Sequence, residues 1–80
     1  MVIQMNTEQV ARFTAQQVAD AIVHTYGPTV QVEIISGSAG LYYAVKIKGT
    51  QANPLMLSCS TCTFEQLGWN VSRLIQFPPA

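Results

Sequence analysis

Charge is what this chain has least of. Its 80 residues include four bases (Arg12, Lys46, Lys48, Arg73) and four acids (Glu8, Asp20, Glu33, Glu65), for a net charge of zero. Affinity for nucleic acid comes largely from Lys and Arg neutralising phosphates. Four scattered bases make no phosphate track, so direct nucleic-acid binding is not expected. An anionic membrane surface, which also recruits clustered bases, is excluded on the same ground. Long apolar runs are missing as well: nothing approaches the roughly 20 residues of a membrane-spanning helix. Met1–Met5 is apolar but short, and no basic region precedes it, so it does not read as a secretion signal. The expected compartment is the cytoplasm. Asn70-Val71-Ser72 matches the glycosylation sequon but falls in a predicted helix, and reads as coincidence.

Catalytic side chains are equally sparse. His24 is the single histidine and Cys59 and Cys62 are the two cysteines. Asp20 precedes His24 by one helical repeat, so the two can meet on a helix surface. A nucleophile would have to come from Ser36, Ser38 or a cysteine, and no Gly-x-Ser-x-Gly elbow is present. Gly37–Gly40 is too short for a phosphate loop and lacks its Lys. No enzymatic activity and no cofactor are expected.

What is present is the composition of a folded protein, 49% hydrophobic, read as a single domain over residues 1–80. Asn6 and Gln9 make a capping box, with Met5 and Val10 at the staple positions. The helix they open is expected to end at Tyr26, before Gly27-Pro28. At 100° per residue, Val10, Ala11, Ala15, Val18, Ala21, Ile22 and Tyr26 share one arc and are the expected core face. Thr29–Ser36 and Leu41–Lys48 alternate as strands around the small-residue loop Gly37–Gly40. A third strand is read at Leu55–Cys59, after a turn ending in Pro54. A last helix spans about Thr63–Gln76, with Thr63 and Gln66 as a second capping box and Cys62 and Leu67 as its staple. Gly68 lies in the apolar stripe of that helix, which suggests a close approach to the sheet. The fold class is therefore α+β: αβββα, a three-stranded antiparallel meander with two helices packed on one face and the other face solvated.

Two family resemblances follow. Cys59-Ser60-Thr61-Cys62, between a strand and a helix start, resembles the redox pair of thioredoxin-like proteins, though no βαβ unit precedes it. It also makes Cys59 and Cys62 candidate metal ligands, but zinc wants four ligands and only a dimer sharing two such pairs would supply them. The alternative is that both cysteines are core residues. The αβββα order, with Gly27-Pro28 at a helix-to-strand junction, resembles the double-stranded-RNA-binding domain. That family needs a basic second helix, whereas Thr63-Phe64-Glu65-Gln66 has no Lys.

Aromatic residues on polar faces are the better functional clue. Trp69 falls about 140° from Phe64, near Glu65 and Arg73. Phe13 is displaced in the same way, close to Gln17, Asp20 and His24, and Tyr42 points outward from the hairpin near Lys46. Aromatics among polar residues are the usual make-up of an interface hot spot. The expected function is a non-enzymatic module that binds a protein partner stoichiometrically through Phe13, Gln17, Asp20, His24, Tyr42, Trp69 and Arg73. In size and element content it resembles the small α+β proteins of phages and plasmids, anti-CRISPR inhibitors among them. Low charge also makes a homodimer a reasonable expectation. The second reading is a thiol-redox or zinc-binding protein built on Cys59 and Cys62.

Overall fold

The computed structural model describes residues 6–50 and 53–77. Its elements are α1 (Thr7–Tyr26), β1 (Val30–Gly37), β2 (Gly40–Ile47), β3 (Leu55–Ser58) and α2 (Phe64–Gln76), the order read from the sequence. Both capping boxes form. The Asn6 side chain accepts from the Gln9 amide and the Gln9 side chain accepts from the Asn6 amide; Thr63 and Gln66 do the same at α2. Each box satisfies two amides that a helix start leaves unpaired. Gly27 closes α1 with its amide on the Val23 carbonyl, at 2.8 Å. The expected staple partner Met5 lies outside the described residues.

The three strands form one antiparallel sheet in the order β1-β2-β3. Gly37 pairs with Gly40 and Val30 with Ile47, so the hairpin runs eight pairs without a bulge. Ser38 and Ala39 make a two-residue loop. Such loops usually need positive φ at the central residues; here no residue other than glycine has one, and Gly40 takes φ +122° instead. The register places Val30, Val32, Ile34, Tyr43, Val45, Leu55 and Leu57 on one face. Both helices cover that face.

The core is small. Ala15, Ala19, Ile22, Val30, Tyr43, Val45, Leu67 and Val71 are buried together, with Cys59, Cys62 and Leu74 packed against them. Ile22, Leu67 and Val71 are fully buried, each contributing about 1.5–3 kcal/mol of hydrophobic stabilisation. Two expectations for α1 need correcting. Val10, Ala11 and Ala21 are exposed, and Ala19, left out of the expected arc, is buried. The buried stripe is rotated by a fraction of a turn and runs from Ala15 to Ile22.

The reason lies in how the helices align. α1 runs antiparallel to β1, and α2 antiparallel to β3, so the two helices are parallel to each other. A Cβ added at Gly68 would lie 3.7 Å from the Ile22 side chain, which sets Gly68 level with Ile22. Four residues back along each helix, the start of α2 at Phe64 is level with Val18. Residues 7–17 of α1, about 16 Å of helix, therefore have no helix beside them among the described residues. The close approach at Gly68 is to α1, not to the sheet as the sequence suggested. Tyr26 fastens the contact: Ser72 Oγ donates to its Oη at 3.0 Å, and Oη donates to the Gly68 carbonyl at 3.1 Å.

Candidate functional site

The core-facing direction of each helix fixes where the candidate interface residues point. On α1 the buried residues are Ala15, Ala19 and Ile22, and Phe13, Gln17, Asp20 and His24 lie on the opposite side of the helix at 100° per residue. All four are exposed. On α2 the buried residues are Leu67, Gly68 and Val71, and Trp69 and Arg73 lie opposite them. Six of the seven candidates thus share the outer surface of the helical layer. The Gly68–Ile22 alignment puts Trp69 level with Val23 along the helical layer. Phe13 is about 15 Å further along the layer.

Tyr42 is the exception. It pairs with Ile35 and Ser58 on the sheet face away from the helices. It is only half-exposed, because its ring lies across Gly37: a Cβ there would be 2.7 Å from the Tyr42 ring edge. That contact gives Tyr42 a packing role. The same face is less solvated than expected, since Ala44 is buried between its cross-strand neighbours Glu33 and Met56.

Trp69 is the largest exposed group on the helical surface, at 60%. The Arg73 guanidinium lies 4.8 Å from its ring centroid, a cation–π pair one turn apart. The indole also borders a groove of about 730 Å³ between α2 and β3, lined by Leu57, Ser58, Thr61, Cys62, Gln66 and Asn70. The groove exists because β3 is four residues long and ends the sheet on that side. A second hollow, bounded by Leu55, Asn70, Arg73, Leu74 and Phe77, continues it along α2. Phe77 is 72% exposed; no sequence signal had marked it beyond its position before the prolines. Asp20 accepts a hydrogen bond from Gln16 at 2.9 Å. Ser36, a candidate nucleophile, accepts one from Arg12 at 2.6 Å.

Cys59 and Cys62 are free and half-buried at the strand-to-helix junction. The Cys62 amide bonds the Ser58 carbonyl at 2.9 Å and closes the turn that holds both. Burial pushes both thiols above their ordinary value of 9.0, with a hydrogen bond from Tyr43 partly offsetting this at Cys59. Reactive thiols show the opposite shift. Among the described residues no group of three or more His, Cys, Asp and Glu side chains is placed to hold a metal ion. No helix there is long and apolar enough to cross a membrane.

Compared with known proteins, the chain matches no family model, no curated protein and no solved structure.

Proposed function

We propose that the protein is a non-enzymatic binding module that occupies a protein partner through the outer surface of its helical layer. The observation that carries this reading is Trp69. It is 60% exposed in the middle of a helix whose other face is cleanly apolar. Burying that side chain in a complex would supply about 3–4 kcal/mol of gross apolar transfer free energy. Trp and Arg are the residue types that dominate interface hot spots, and Arg73 already sits against the ring. On the neighbouring helix, His24 and Asp20 supply exposed polar groups and Phe13 a second exposed aromatic. Stoichiometric inhibition or adaptor function, of the kind encoded by phages and plasmids and exerted in the cytoplasm, fits a chain with so few catalytic groups.

The test is to capture the partner from the native host with the wild-type protein, then repeat with Trp69→Ala and Phe13→Ala. Both positions are exposed, so circular dichroism should show an unchanged fold. Loss of capture by Trp69→Ala supports the surface. Undiminished capture by both folded variants would remove it.

A further inference from the structure

The first half of α1 leaves an opening that the outer-surface reading does not use. Because α2 begins level with Val18, no other element among the described residues fills the space beside residues 7–17 in the helical layer. The result is a cleft of about 620 Å³. Ala11 and Thr14 form one wall, and Leu41, Tyr43 and Cys59 line the floor. Small side chains on the helix and large ones on the sheet are what keep it open. Its volume falls within the roughly 300–1,000 Å³ range of small-molecule sites, and its mix of apolar walls with a few polar groups is typical of them.

The chemistry of the lining narrows the ligand. No Lys or Arg borders the cleft, and its one ionised group is the Glu8 carboxylate at the mouth. The other polar side chains are the hydroxyls of Thr7, Thr14, Tyr43 and Ser60 and the Cys59 thiol. Burial raises the pKa of both Tyr43 and Cys59, so both stay neutral at physiological pH. An anionic head group would meet a like charge at the mouth and no counter-charge inside. A neutral hydroxyl could exchange hydrogen bonds with the floor while its apolar body lies along the Ala11 wall.

We propose that this cleft binds an uncharged apolar small molecule, such as a medium-chain alcohol, and discriminates against carboxylates of the same length. The site shares no residue with the outer-surface cluster, so it stands or falls separately from the protein-binding reading.

The experiment titrates the full chain with the uncharged dye N-phenyl-1-naphthylamine at pH 8, followed by fluorescence. 1-Dodecanol and dodecanoate serve as competitors. The expected result is saturable one-to-one dye binding, displaced by dodecanol at concentrations at least about tenfold lower than by dodecanoate. Ala11→Trp, at an exposed position, should fill the cleft and weaken dye binding by about tenfold or more with an unchanged circular dichroism spectrum. Thr14→Lys should reverse the preference toward dodecanoate, which decides the matter even if Ala11→Trp fails to fold. Absence of saturable binding would overturn the proposal. So would equal competition by the two chains, or binding untouched by Ala11→Trp and a preference unmoved by Thr14→Lys.

Discussion

Substitutions at Gly68 measure the gap between the two helices. A methyl group there would sit 3.4 Å from Tyr26 Oη and 3.7 Å from Ile22 Cδ1, which is ordinary contact. Glycine in a helix interior costs about 1 kcal/mol relative to alanine. Gly68→Ala should therefore stabilise the protein by about 1 kcal/mol, since the methyl fits without displacing a neighbour. For a domain of this size that corresponds to a rise of about 4–8 °C in Tm. Gly68→Leu gains similar helix propensity but must place its branched end where Tyr26 or Ile22 now stands. Overpacking of that kind costs about 1–3 kcal/mol, and displacing Tyr26 would also strain its bonds to Ser72 and Gly68. The leucine variant should therefore be the less stable of the two. Urea unfolding followed by circular dichroism reads both, with an unchanged m-value as the sign that only stability has moved. A leucine variant as stable as the alanine variant would show that the helices do not approach closely here. An alanine variant well below wild type would show that they are closer than 3.4 Å allows.

Three other perturbations test neighbouring parts of the argument. Tyr26→Phe removes the donor to the Gly68 carbonyl and the acceptor for Ser72 Oγ; it should cost about 1–2 kcal/mol in urea unfolding, and no loss would mean that the bonds do not clasp the helices. Tyr43 has its pKa pushed up from 10.0 to about 12, first by burial and then by the nearby Cys59 and Cys62 thiols. The fold therefore favours its neutral form, so the stabilisation is full below pH 10 and lost as pH rises toward 12. At about 1.36 kcal/mol per unit this amounts to roughly 2–3 kcal/mol, which Tyr43→Phe should abolish; a stability curve flat through that window would contradict the burial of the hydroxyl. Finally, because burial raises both thiols above 9.0, Cys59 and Cys62 should react more slowly with a disulfide reagent at pH 8 in the native protein than in urea. Native rates equal to or above the unfolded ones would revive the redox reading.

Much of the fold was legible because the local signals agree with one another. Asn6 with Gln9 and Thr63 with Gln66 announced both helix starts, and Gly27-Pro28 announced the end of the first. Alternation in the hairpin strands put Val32, Tyr43 and Val45 on the covered face. The exposed aromatics were legible for the same reason: Phe13 and Trp69 fall outside the apolar stripes, and both are more than half exposed. What could not be read was anything set by how one element aligns with another. Ala11 and Ala19 are chemically identical, and only the late start of α2 makes the first line a cleft and the second the core. Tyr42 alternates outward like any strand residue; its half-burial depends on Gly37 lying beneath its ring. Gly68 in the apolar stripe signals a close approach, but the sequence does not show which flank of α2 faces α1, so it points to the sheet where the structure places Ile22 and Tyr26.

Alignment also separates exposure that carries information from exposure that does not. Phe64 and Ile75 are 47% and 44% exposed, yet both lie on the side of α2 that faces the core. They are at its two ends, where the layer beneath runs out. A chain of this size buries only about 60% of the surface its unfolded form exposes, so some apolar groups are left at element ends by shortage of core alone. Trp69 has no such cause. It stands mid-helix, level with the best-packed part of α1, and about 160° from the buried direction. Its flank could have taken a Gln or a Lys with no loss of packing and a gain in helix propensity. The residue is thus unexplained by folding, and the Arg73 guanidinium over its ring holds it in place without covering it. The proposed binding surface at Trp69 rests on that contrast, which leaves Phe64 and Ile75 to the geometry of a small core.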